Sequence, residues 1–139
     1  MTATAYTLAV LLDLFCLFLG YRFLFQPAPA AAGYGVPARP DGDAGAYLSV
    51  KGSRDGAFGL VGLALLVFAG ARAEAWFMLA VALVPLCDTV IVLRHGGARA
   101  VAFGVHFATA VIVLISAALL FLVWAAYTTR SRATGNDRP

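Results

Sequence analysis

Four long apolar stretches, at about 5–25, 47–69, 75–93 and 101–127, constrain this chain more than any other feature. Each is close to or above the roughly 20 residues that a helix needs to cross the hydrocarbon core of a bilayer. The fourth is longer, and is expected to tilt or to reach past the membrane. A barrel is excluded, because it needs many short strands of alternating polarity. Composition agrees: of 139 residues, 62% are hydrophobic and 12% charged. A soluble domain carries about 25% charged residues. Intrinsic disorder is excluded by the same figures.

The first stretch superficially resembles a signal peptide, with Ala28-Pro29-Ala30 as a small-residue cleavage site. No Lys or Arg precedes it and Asp13 sits in its middle, so it reads as a span. The later connections, 70–74 and 94–100, are short, and short connections make neighbouring helices antiparallel. The expected fold is therefore an all-α, integral membrane, up-down-up-down four-helix bundle over 1–127, with both termini on one side. A polar, disordered tail is expected at 128–139. The connection 26–46 is long and rich in Pro, Gly and Ala, as a lid or a solvated loop would be; Gly33-Tyr34-Gly35 suits a lid tip or an interface anchor. Arg72, Arg130, Arg132 and Arg138 fall on the side of the termini, against Arg22, Arg39, Arg94 and Arg99 on the other. That balance gives no orientation, unless Arg22 serves a site, in which case the termini are expected in the cytoplasm of a multi-pass cell-membrane protein.

Charges inside spans are costly and mark sites by default. At 1.5 Å per residue, Arg22 and Lys51 are expected roughly 5 Å below the face bearing the long loop. Asp88 and His106 come at roughly 8 Å, Arg54 and Asp55 at roughly 10–12 Å, and Asp13 at roughly 18 Å. Six of these seven share one layer, and the other half of the bundle reads as almost purely apolar. On the second helix Tyr47, Lys51, Arg54, Asp55 and Phe58 fall within about a 100° sector. Gly52, Gly56 and Gly59 lie on another face, a small-residue seam on which a second copy would pack. On the first helix Asp13, Cys16 and Gly20 share a sector while Arg22 points away; on the fourth His106, Thr109, Ser116 and Tyr127 do. Pro85 precedes Asp88 by three residues and is expected to open the helix beside it.

The basic residues are scattered despite a net charge of +3, so nucleic acid is not an expected partner. Cys16 and Cys87 lie in apolar runs and read as buried thiols. No nucleotide-binding loop, metal-ligand spacing or nucleophile elbow is present, and Asp88 with His106 is too small a set for a metal. No cofactor is expected.

Gly52-x-Arg54-Asp55 at the opening of the second helix carries a resemblance, together with Gly20-Tyr21-Arg22 followed by Pro27, Tyr34-Gly35, Asp88 and His106. The chain resembles the small bacterial and fungal four-helix membrane proteins grouped as domain of unknown function 4267, in the style of DoxX-like bundles. The resemblance implies the bundle and the site location, and supplies no activity.

Three functions of different classes suit these residues. The first is an intramembrane pocket that binds or converts a small lipophilic molecule with a polar end. Arg54, Lys51, Tyr47, Asp13 and Arg22 would bind the substrate, and Asp55, Asp88 and His106 would serve as acid and base. Isomerisation, cyclisation or epoxide opening needs only such proton transfers. The second is a dimeric proton-coupled exporter built on Asp13. The third is an accessory membrane subunit whose ionic layer only orders the helices.

Overall fold

The structure is a computed structural model and describes residues 1–35 and 41–133. It is all-α, with no strand among the described residues. The helices are α1 (Thr2–Phe25), α2 (Pro27–Tyr34), α3 (Asp43–Phe68), α4 (Ala71–Val81), α5 (Leu83–Arg94), α6 (Arg99–Val101) and α7 (Ala108–Ala133). A π-helical segment, Ala102–Phe107, joins α6 to α7.

Three helical runs are long and apolar enough to cross a membrane: Thr2–Phe25, Ala71–Arg94 and Arg99–Ala133. Within the second span expected from the sequence, α3 has comparable length but carries Lys51, Arg54 and Asp55. The inside of the molecule is small-residue packing. Ala5, Ala9, Ala71, Ala75, Ala82 and Ala117 meet Met78, Val113 and Leu120 in one buried cluster. The bulky side chains face out, with Phe18, Leu60, Phe68, Trp76, Leu83 and Ile115 all exposed. Small residues inside and large apolar ones outside suit a lipid solvent, where tight backbone approach replaces the hydrophobic drive between helices. This is a membrane protein.

The strongest pairing sets α1 along α3, and α4 along α7. Glycines make the first pairing close. A Cβ at Gly20 would stand 2.8 Å from Cα and N of Gly56 and 2.9 Å from O of Gly52. At Gly59 it would stand 2.5 Å from the backbone O of Asp13, and at Gly62 it would overlap the Asp13 carboxyl. The Gly52/Gly56/Gly59 seam expected to receive a second copy is thus filled from within the chain, by α1.

Helix boundaries depart from the sequence reading in four places, each with a local cause. The expected loop 26–46 begins with α2, because Pro27 occupies the first helical position and Gly35 closes the helix in the left-handed region at φ 91°. It also ends early, since α3 starts at Asp43. The helix opened by Gly70 (φ 79°) starts at Ala71, so Glu74 is helical and fully buried rather than part of a turn. That carboxyl corrects the expectation of an apolar half opposite the long loop. α7 continues through Ala133, so the first part of the expected tail is helical. Arg39, Arg138 and the rest of that tail, 134–139, lie outside the described residues.

Between α4 and α5 the helical run pauses at Ala82, with Pro85 following. Proline has no N–H to give the carbonyl four residues back, and its ring crowds that carbonyl. Thr89 Oγ1 donates to the carbonyl of Pro85 at 2.8 Å.

Candidate functional site

A cavity of about 260 Å³ lies between α1, α2, α3, the α4–α5 run and the π segment. Its wall is mostly apolar, with Leu12, Phe15, Phe58, Phe77, Met78 and Val84 among the lining residues. Six acidic, basic or imidazole side chains from four helical elements interrupt that wall: Asp13, Arg22, Lys51, Asp55, Asp88 and His106.

Two polar groupings stand at the end near α2. In the first, Lys51 Nζ lies 2.6 Å from Asp55 Oδ2, an i,i+4 ion pair on α3 with Asp55 buried. The ammonium also sits over two rings, 4.7 Å from the centroid of Phe23 and 4.5 Å from that of Tyr34. Its charge is therefore met by a carboxylate on one side and aromatic faces on the others.

The second grouping is built around Tyr34, at the last turn of α2. Its hydroxyl donates to Asp88 Oδ2. Its backbone carbonyl accepts from His106 Nε2 at 2.8 Å. A carbonyl only accepts, so the proton of a neutral His106 resides on Nε2 and leaves Nδ1 as the basic nitrogen. Nδ1 faces Asp88 Oδ2 at 3.9 Å, beyond direct hydrogen bonding. The rings of Tyr34 and His106 meet edge to face at 4.5 Å, and Phe23 meets Tyr34 likewise at 5.5 Å. Burial, and then the Asp88 carboxylate beside it, push the Tyr34 phenol above its ordinary range. Tyr34 thus holds its proton and offers it to Asp88.

The sequence elements that aim these groups are specific. The helical run pauses at Ala82, and Pro85 stands in the first turn of α5, three residues before Asp88. The π segment turns His106 inward, where it is buried. Gly35, with φ 91°, ends α2 against Val101, and Gly97 packs on the Gly35 carbonyl, so the loop chain is seated on the connection between α5 and α6.

Of the residues singled out from sequence, Lys51, Asp55, Asp88, His106, Asp13 and Arg22 line this one cavity. Arg22 was expected to face away, but it joins the lining with Nε buried and without a hydrogen-bond partner. Its Cζ stands 5.8 Å from the ring centroid of Phe18. Arg54 and Tyr47, read from periodicity as the same polar stripe, do not line it: both are exposed, Tyr47 at 75%. They sit on one side of the helical sector, and only its other side, Lys51 and Asp55, turns inward. Cys16 lines the cavity, whereas Cys87, expected to be buried, is exposed.

Tyr34, read from sequence only as a lid tip or an interface anchor, is the member of the cluster that the candidate site residues did not include. Pro27 at a helix start and Gly35 at its end were the signals that a short helix would carry it back to the bundle. Among the described residues no three His, Cys, Asp or Glu side chains gather as a metal site. What the arrangement offers is proton transfer between a carboxylate, an imidazole and a phenol, beside a fixed positive charge and an apolar chamber.

No curated protein and no solved structure matches the chain. The sequence pattern of one family, described as Domain of unknown function (DUF4267), matches residues 14–120, from the middle of α1 to the core of α7. That stretch contains every polar residue of the cavity except Asp13, and the chain belongs to the DUF4267 family.

Proposed function

We propose that this protein binds a small lipophilic molecule with a polar end inside the bilayer, and converts it by proton transfer. The observation that carries this reading is the cavity itself, an apolar chamber of about 260 Å³ with Lys51, Asp55, Tyr34, Asp88 and His106 clustered at one end. The apolar part of the ligand fills the chamber between α1 and the α4–α5 run, and its polar end displaces or joins Tyr34 beside Lys51. Asp88 and His106 act as base and acid, in an isomerisation, cyclisation or epoxide opening. A mostly apolar concavity with a few convergent polar groups is the usual form of a small-molecule site.

The reading includes a four-span, up-down-up-down topology in the cell membrane, with α3 as the span that carries the ion pair. The placement of Arg22 in the cavity wall supports termini in the cytoplasm, because it removes one arginine from the opposite side's share of the topological charge.

The test is the protein purified in lipid nanodiscs, with its bound molecules read by native mass spectrometry and extraction. A reproducible lipophilic ligand is expected in the wild type, and its loss in Asp88→Asn and Lys51→Met at unchanged expression. A wild type carrying only bulk bilayer lipid, or both variants retaining the ligand in full, overturns the reading.

A further inference from the structure

Two buried carboxyls lie outside the Tyr34 cluster, and neither has the partners its burial demands. Glu74 on α4 is 0% exposed, and neither of its carboxyl oxygens has a hydrogen-bond partner. Asp13 on α1 is 2% exposed, with Oδ2 unpartnered. Ser116 on α7, equally buried, has a free hydroxyl facing the same core. A carboxylate stripped of water with no donor beside it is strongly unfavourable, so such groups are rarely kept without a task.

Among the described residues no cation is paired with either carboxyl. Around Asp13, α3 presents Gly59 and Gly62, and any side chain at Gly62 would overlap the Asp13 carboxyl. The helix packing is thus built to admit that group. The charges around Asp13 are Glu74 on α4, which feels its field, and, lining the same cavity, Asp55 with Lys51 already bound to it; Cys16 adjoins it on α1. Around Glu74, the bearing charge is Asp13. Arg72, two residues earlier on α4, instead lies over the ring of Trp124, 4.7 Å from its centroid. From α7, Val113, Ser116, Ala117 and Leu120 fill the core on that side.

Each of these two carboxyls lies at, or one helical turn from, a different opening. Asp13 lines the cavity that contains Asp88 and His106. Glu74 sits one turn above Gly70, which borders a second cavity of about 580 Å³ lined by Tyr6, Arg72, Trp124, Tyr127 and Arg130. Glu74 is thus one turn from the vestibule wall, and Asp13 shares the first cavity with Asp55, Asp88 and His106.

We propose that Glu74 and Asp13 form a proton path linking the vestibule at the start of α4 to the cavity under α2. A proton enters as the carboxylic acid of Glu74, passes to the Asp13 carboxylate, and leaves through the cavity to Asp88 and the face beyond. Each hop breaks one O–H bond and forms another, and no electron moves. The path does not depend on what the cavity binds.

The full chain is reconstituted in vesicles of phosphatidylcholine and phosphatidylglycerol around a pH-sensitive dye, and a valinomycin-set potassium potential draws protons inward. The wild type should acidify the lumen roughly ten-fold or more faster than protein-free vesicles, and equally in sodium and in choline medium. Glu74→Gln and Asp13→Asn should each remove most of that gain, while Glu74→Asp retains part of it. Circular dichroism and elution volume establish that each variant is folded. The wild-type arm needs no variant: a rate equal to that of empty vesicles overturns the proposal. So does a folded Glu74→Gln at the wild-type rate, and so does a flux that requires sodium, which would make the pair a metal-cation site.

Discussion

Substituting Gly20 by alanine tests the packing on which the site is mounted. The added Cβ would stand 2.8 Å from Cα and N of Gly56 and 2.9 Å from the carbonyl of Gly52. All three obstacles are backbone, so no rotamer change relieves them. Ordinary carbon contacts lie at about 3.5–4.0 Å, so α1 and α3 must part by roughly 0.7–1.2 Å. Overpacking of this kind costs about 1–3 kcal/mol, and a rigid backbone contact belongs at the upper end. Alanine returns about 1 kcal/mol through helix propensity, for a net loss of roughly 2 kcal/mol. Gly33→Ala is the control: nothing lies within 4 Å of that Cβ, so only the propensity gain remains. Reversible unfolding by SDS in mixed micelles, followed through Trp76 and Trp124 fluorescence, gives both values on one scale. If Gly20→Ala is as stable as Gly33→Ala, the α1–α3 seam is not the intramolecular contact described here. The Gly52 face would then be open to a second copy, and cross-linking would show it.

Three further outcomes follow from the ionisable groups. Lys51→Met strands the buried Asp55 carboxylate and should cost about 3 kcal/mol, most of it recovered in Lys51→Met/Asp55→Asn; SDS unfolding of the pair decides it, and a double variant no better than the single refutes the ion-pair account. The Tyr34 phenol is raised above its ordinary value of about 10, so the folded chain keeps a proton that the unfolded chain loses. The stability this confers is complete below about pH 10 and declines as pH rises further, by at most about 1.4 kcal/mol per unit. Tyr34→Phe should flatten that decline in thermal unfolding measured across the alkaline range; a slope unchanged by the substitution removes Tyr34 as its source. At neutral pH the same variant should lose about 2 kcal/mol through the hydrogen bond to the Asp88 carboxylate, and Tyr34→Ala more, because the contacts with Phe23 and His106 go too. Equal losses in the two variants would show that the rings contribute nothing.

Helical period and span length made much of this legible from sequence. Lys51 and Asp55 are four residues apart on one face, and antiparallel neighbours bring Asp88 and His106 to their depth. The same arithmetic misplaced Arg54 and Tyr47, because a sector of about 100° is wider than the cavity, and only its Lys51–Asp55 side turns inward. It misplaced Arg22 for another reason, since a long side chain leaves the direction of its own Cβ. Glu74 was lost to a boundary: an acid just after Gly70 looks like a turn residue, or an ordinary charge at the positive end of a helix. Only the packing of α4 against α7 and α3 shows it to be interior. Tyr34 depended on α2 folding back, a tertiary event that Pro27 and Gly35 permit but do not dictate.

The π segment at Ala102–Phe107 separates the helical run Arg99–Ala133 into two parts whose phases are set independently. One residue more than an α-helix would use is wound into that turn. Deleting a single residue such as Gly104, around which a Cβ would meet nothing, should let the turn relax to α geometry without disturbing Ala110, Val113 or Leu120 below it. His106 keeps its register with those residues, while Val101, which packs on Gly35, swings by about 100°. The segment therefore works as a clutch between the bundle core and the seat of α2. Changes of one residue in length here, rather than changes of side chain, would loosen or re-aim the cover while leaving the packing of Ala110, Val113 and Leu120 intact.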